Sequence, residues 1–253
     1  VVVLSAMSGV TNELQSYINQ VGSEPSIETD LIMTSGEQVT IGLLSMVLKK
    51  IGIKSIPLLG WQIPIVTDDN HEKGKILNIN KDKILNHFKT NDVIVLAGFQ
   101  GISVSGYITS LGRGGSDTTA VAIAASLNAE RCDIYTDVDG VYSTDPNVEV
   151  KAKKIEKLAY EEMLEMASTG AKVLQTRSVE LAMKNNITLQ VLSSLDNTQG
   201  TFIINESQLI EKEIVSGVSF SKNESKITIS GILDKPGISA IIFGLMASNN
   251  INV

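Results

Sequence analysis

Residues 109–127, "TSLGRGGSDTTAVAIAASL", decide how the rest of the chain is read. A loop holding Gly112, Arg113, Gly114 and Gly115 runs into a stretch of small apolar residues. Glycines allow backbone conformations and close approaches that a Cβ forbids, and Ser116 or Asp117 is placed to cap a following helix. Backbone N–H groups at such a helix start face an anion. The plain alternative is an ordinary strand-to-helix turn, and a glycine loop alone favours that alternative. The loop is not a Walker A motif, which needs Gly-Lys-Ser/Thr. It is not a G-x-G-x-x-G fingerprint either, because Asp117 stands where the third glycine belongs. Arg113 is what lifts it, since a guanidinium among exposed N–H groups suits a carboxylate or a phosphate.

Outward from this loop, short β-branched runs alternate with helical patterns. Strands are expected at Val1–Leu4, 92–99, 132–138 and 187–193, and helices at 11–20, 35–52, 116–130 and 160–174. Apolar strands alternating with helices predict a mainly parallel sheet covered on both faces, a three-layer α/β domain over residues 1–204. A polar linker, 205–213, then precedes a small partial α+β module over 214–253, read as strand, turn at Asp234 to Gly237, helix and the start of another strand. The opening "VVVLSAM" and closing "NNINV" both sit on apolar patterns, so the expectation is that the chain begins and ends inside domains.

The 253 residues are 43% hydrophobic, enough for a proper core, and carry 21 Lys and Arg against 28 Asp and Glu, a net charge of −7. That balance disfavours a nucleic-acid partner held through phosphates. One cysteine, Cys132, excludes an internal disulfide and a cysteine-built zinc site, and points to a reducing, cytoplasmic setting. No apolar run of spanning length and no signal peptide stand out, so no membrane role is expected.

Three further stretches carry chemistry. In "TDVDGVYSTDP", 136–146, Thr136, Asp137, Asp139, Tyr142, Asp145 and Pro146 follow an apolar strand. An EF-hand is rejected, because Gly140 is the fourth residue of the Asp-x-Asp frame and no Glu closes it. The loop suits a surface turn or the flank of a nucleotide equally. In "TSGEQVT", 34–40, Glu37 lies in a first helical turn, where a capping role and ligand binding are evenly balanced. In "GAKVL", 170–174, Lys172 and Val173 sit in an apolar setting, a weak signal alone. His71 and His87 lie in polar, turn-rich sequence and suggest no triad or metal site.

Taken together and in order, "VVVLSAMSGVTNEL", "SGEQVT", "GWQ" (60–62), "VLAGFQG", "TSLGRGGSDTTA", "CDIYTDVDGVYSTDP" and "GAKVL" resemble the aspartate kinases of the amino-acid kinase superfamily, in the form with C-terminal ACT modules. The resemblance covers essentially the whole chain. Two departures are a missing Lys-Phe-Gly-Gly-Thr-Ser strand and loop, whose lysine contacts the reacting phosphoryl region, and an early end to the ACT part. The fragment alone is therefore expected to be weak or inactive.

The resemblance implies transfer of the γ-phosphoryl group of ATP, carried with Mg²⁺, to the β-carboxylate of L-aspartate, the entry to lysine, threonine, methionine and diaminopimelate synthesis. By the same resemblance Arg113 grips the substrate α-carboxylate, Glu37 and Asp117 take its α-ammonium, and Thr11, Gly114, Gly115 and Ser116 line the same site. Thr136, Asp137, Tyr142, Asp145, Pro146, Lys172 and Val173 face the nucleotide, and Lys172, Asp117 and Arg113 are the implied catalytic set. No side chain is implied as a resident metal ligand. Asp234, Pro236 and Gly237 mark an effector turn for lysine or threonine in a homo-oligomer paired through ACT modules. The rivals are another kinase of the same fold, such as a uridylate or acetylglutamate kinase, and a regulatory amino-acid-binding subunit.

Overall fold

The computed structural model of the chain describes residues 1–22, 24–171, 173–209, 215–220 and 237–248. Two compact units are present, Val1–Phe220 and Ser221–Val253. The first is built in chain order from β1 (Val2–Leu4), α1 (Val10–Val21), α2 (Ile27–Met33), α3 (Ser35–Lys50), β2 (Ser55–Leu58), β3 (Ile65–Thr67), β4 (Ile76–Ile79), α4 (Lys81–Phe88), β5 (Val93–Ala97), β6 (Gln100–Ser103), β7 (Ile108–Ser110), α5 (Gly115–Leu127), β8 (Arg131–Thr136), β9 (Lys157–Ala159), α6 (Tyr160–Ser168), α7 (Thr176–Asn185), β10 (Thr188–Ser193) and β11 (Thr201–Ile204). In the second unit the helix expected after the 234–237 turn is α8 (Ile238–Ser248), entered through Gly237 at φ 93°. Asp234 and Pro236 lie outside the described residues.

The strands form three sheets, ordered β1-β5-β2, β8-β10-β11-β9 and β4-β3-β6-β7. In the first, β5 lies parallel between β1 and β2, and its run "VIVLA" is apolar at every position because both faces are covered. Val95 and Ala97 pack with Ile41, Leu44 and Leu48 of α3. Ile94 and Leu96 point the other way, into a core with Ile84 of α4 and Ile123 of α5. This is the expected layering of helix, sheet and helix. The second sheet is parallel from β8 to β10, antiparallel from β10 to β11, and parallel again to β9. Its core joins Ile134, Leu189, Val191 and Ile203 to Val121 and Ala124 of α5, Met163 of α6 and Val179 of α7. α5 is small and apolar on all sides because it serves two cores. The third sheet, with antiparallel β3–β4 and β6–β7 pairs, is absent from the sequence expectation.

Two expectations are corrected. The helix foreseen over 160–174 stops at Ser168: Thr169 turns its hydroxyl to Glu165 O, and Gly170 takes φ 126°, which ends the helical path. Against the expectation of no apolar run of spanning length, residues Ile27–Lys50, which include the helix expected from residue 35, form a 24-residue helical run long and apolar enough to cross a membrane. Its place is in the fold, with α2 against β7, α3 against β2 and β5, and Asp30, Glu37 and Ser45 buried.

Candidate functional site

The carboxyl ends of β1 and β5 carry the first half of the site. Gly98, one residue past β5, donates its N–H to Leu4 O at 2.9 Å, tying the two strand ends together. A Cβ on Gly98 would lie 2.8 Å from that of Ser116, so the start of α5 is seated directly on this junction. α3 arrives from the other side. A Cβ on Gly36 would stand 2.7 Å from Ala6 Cβ, and that closeness lets Glu37 reach the loop after β1.

Thr34 at the N-cap of α3 makes no side-chain cap hydrogen bond, and the Glu37 carboxyl does not close a capping box onto it. Instead its Oε1 accepts from Ala6 N–H at 3.1 Å, while Oε2 is buried with no hydrogen-bond partner. The residue is 3% exposed, and burial pushes its carboxyl up to about 7. A buried acceptor with nothing to accept from costs about 1–3 kcal/mol unless a ligand supplies the donor. Thr11 lies exposed in the first turn of α1, behind Gly9 at φ 85°.

The glycine loop enters α5 through Gly114, a left-handed N-cap at φ 69° with no side-chain cap. Ser116 and Asp117 therefore do not cap the helix, contrary to expectation; they lie inside its first turn, because α5 begins at Gly115. Asp117 is raised to about 6 by burial. Arg113 is exposed at the crest, and no described carboxylate lies within ion-pairing distance of it. Phe99 next to the loop holds φ 66°, unusual for an aromatic residue; its carbonyl accepts from Leu111 N and its N–H donates to Thr119 Oγ1. A Cβ on Gly115 would meet Phe99 Cδ2 at 2.6 Å, so only glycine fits that turn.

The second half lies at the carboxyl end of β8. Thr136 O accepts from Ser194 N at 2.8 Å, and Thr136 Oγ1 donates to Asp137 Oδ1. Tyr142 OH donates to Asp139 Oδ1 at 3.0 Å, and Lys154 Nζ holds Asp139 Oδ2 at 3.1 Å. Asp145 and Pro146 are exposed in the turn beyond, with Asn147 N donating to Asp145 Oδ1. Val173 is half-buried, and Lys172 lies outside the described residues. The halves touch at Gly114, where a Cβ would fall 2.1 Å from Cγ of Gln175.

The sequence expectations did not include Asp30, Lys154 or Arg177, and they set His71 aside. Asp30 is fully buried; its Oδ1 accepts from Ser110 Oγ at 2.6 Å and Glu72 N at 3.0 Å, and its Oδ2 pairs with His71 Nδ1 at 2.7 Å. An acid inside an apolar helical run was the available signal. His71 serves this pairing, and among the described residues no group of three His, Cys, Asp or Glu side chains converges as a cation site.

Against known proteins, the amino acid kinase family profile matches residues 1–193. An aspartate kinase of Pseudomonas putida is 51% identical over 255 residues, covering 100% of this chain and 62% of its own length. Among solved structures, an aspartate kinase from Synechocystis is 40% identical with TM-score 0.68, over 80% of this chain and 34% of that one. E. coli aspartokinase III, in complex with aspartate and ADP, is 27% identical with TM-score 0.71, over 96% of this chain and 56% of that one. In complex with lysine and aspartate the same protein gives TM-score 0.70 over 94% and 56%. The chain thus spans less than two thirds of the length of these aspartate kinases.

Proposed function

The chain belongs to the amino acid kinase family, and from that premise we propose that it is the catalytic part of an aspartate kinase, moving the γ-phosphoryl group of ATP to the β-carboxylate of L-aspartate. The observation that carries this reading is Glu37 Oε2, a buried acceptor with no partner. A substrate ammonium supplies both the missing donor and the charge that restores the ionised state. Arg113, exposed and without a carboxylate partner among the described residues, is the complement for the α-carboxylate. Asp117 shares the ammonium, and Thr11, Gly114, Gly115 and Ser116 line the same pocket. A uridylate or acetylglutamate acceptor brings no free ammonium and leaves Glu37 unexplained.

An aspartate carboxylate, with an ordinary pKa near ~3.9, is ionised at neutral pH and needs no general base. One of its oxygens attacks the γ-phosphorus, the bond to the β,γ-bridging oxygen breaks, and ADP leaves with that electron pair. What the protein supplies is alignment and donors for the transferred charge. Glycine-loop N–H groups, Arg113 and Lys172 take that part, while Thr136, Asp137, Tyr142, Asp145, Pro146 and Val173 flank the nucleotide. The divalent cation, for which Mg²⁺ is the candidate, arrives on the ATP phosphates. Asp234, Pro236 and Gly237 belong to an ACT-type effector turn in a homo-oligomer of the cytoplasm. Lysine is the first effector to try, since it is bound in the E. coli aspartokinase III structure.

The test is aspartate-dependent ADP formation by the full-length protein with MgATP, trapping the acyl phosphate as a hydroxamate. Turnover that requires L-aspartate is expected. ATP binding without aspartate-dependent turnover refutes the reading and favours another acceptor or a regulatory subunit.

A further inference from the structure

Arg177, in the first turn of α7, spans two backbone carbonyls. Its Nη1 donates to Leu111 O and its Nη2 to Gly74 O, each at 2.7 Å. Among the described residues no carboxylate lies within 4.0 Å of it. A guanidinium that is taken partly out of water, with Asp68 as a nearby charge but beyond ion-pairing distance and with carbonyl oxygens as its hydrogen-bond partners, spends its donors on holding main chain in place.

What it holds is specific. Leu111 opens the glycine loop two residues before Arg113. Gly74 closes the turn after His71, and its N–H donates to Ser110 O at 2.9 Å. That turn lies against the loop so closely that a Cβ on Gly112 would stand 2.8 Å from Glu72 O. From the far side, Asp30 binds the same two pieces, Ser110 through its hydroxyl and the turn through Glu72 N–H and His71. Gln175, two residues before Arg177, is the side chain seated on Gly114. The loop therefore rests on the 71–74 turn, and Arg177 bolts both to α7.

We propose that Arg177 is a positioning residue: it fixes the main chain on which Arg113 stands and thereby sets aspartate affinity without touching the substrate. This rests on the aspartate kinase reading above. The bidentate fork matters, because a lysine reaches one carbonyl but not two in the same plane.

The test uses full-length protein and the variants Arg177→Lys and Arg177→Ala. Arg177→Ala is expected to raise KM for aspartate about tenfold, the size of one weak charge-assisted hydrogen bond lost from a substrate grip. KM for ATP should barely move, Arg177→Lys should fall between, and added guanidinium ion should recover part of the loss where ammonium does not. A second readout needs no catalysis: trypsin should cut the Arg113–Gly114 bond faster in both variants under native conditions. Equal rises in both KM values, or a lower Tm with unchanged aspartate KM and unchanged cleavage, overturn the proposal. If wild-type protein phosphorylates no aspartate, the reading above fails, and the cleavage comparison decides the clamp: faster cutting supports it and unchanged cutting refutes it.

Discussion

At the residue scale the decisive group is Glu37. Its carboxyl sits at about 7 rather than 4.5 because burial disfavours the ionised form. Between those values the folded state binds more protons than the unfolded chain, so this residue's contribution to stability falls as pH rises through that window. The shift corresponds to about 3 kcal/mol. Urea unfolding of Glu37→Gln and wild type at several pH values should therefore show the variant gaining up to about 3 kcal/mol relative to wild type from pH 4 to pH 8. Parallel stability curves would mean that Glu37 is ionised without cost. The same proton competes with a substrate ammonium, so KM for aspartate should climb as pH falls below about 7, up to about tenfold per unit, with KM for ATP flat. In Glu37→Gln that climb should begin about one pH unit lower, where Asp117, raised to about 6, takes up its proton, and KM for aspartate should be high throughout; equal effects on both substrates would count against the ammonium contact. The sequence made Glu37 legible as a candidate but left capping and ligand binding level. Only burial and the orphaned Oε2 separate them, and both depend on Ala6, thirty-one residues away.

At the element scale, α3 works by close approach, and its two glycines test that. A Cβ on Gly36 would lie 2.7 Å from Ala6 Cβ and 3.1 Å from Val10 Cγ1, whereas one on Gly42 would meet nothing within 4 Å. Alanine is the better helix former by about 0.8–1 kcal/mol, so Gly42→Ala should stabilise by roughly that amount. Gly36→Ala should destabilise by about 1–3 kcal/mol, because α3 must back away from the loop after β1. It should also raise KM for aspartate, as Glu37 moves with the helix. Thermal melts of the two variants read the contrast; a matching rise in both would show that α3 has room to shift. The long helices and the apolar strands β1, β5, β8 and β10 were legible because their patterns are continuous. The β4-β3-β6-β7 sheet was not: strands of three or four residues such as "ITS" and "QGIS" carry too few positions for alternation to register. α6 was overrun for the opposite reason, since "AKVL" continues an apolar pattern past Gly170, whose backbone cannot continue it. Arg177 gave no signal at all, because its partners are backbone carbonyls from segments sixty-six and more residues away.

At the scale of the whole first unit, the site depends on two cores sharing one helix. Ile123 of α5 packs under the β1-β5-β2 sheet, while Val121 and Ala124 pack under β8 and β10. The proposed aspartate side, built on one core, and the proposed nucleotide side, built on the other, keep their spacing only if α5 cannot leave either core alone. Folding should then be a single transition across both halves. The sequence provides a probe on each side, because Trp61 and Cys132 are its only tryptophan and cysteine. Trp61 lies between β2 and β3. Cys132 is buried in β8, with its thiol pushed up to about 12, so it reacts with thiol reagents only when the β8 core opens. In urea, Trp61 fluorescence and Cys132 labelling should give the same midpoint, and MgATP, whose proposed site is on the β8 side, should raise both together by the same amount. Separate midpoints, or protection by MgATP of Cys132 alone, would show that the halves open independently. In that case the aspartate and nucleotide sides are aligned by the ligands themselves rather than by α5.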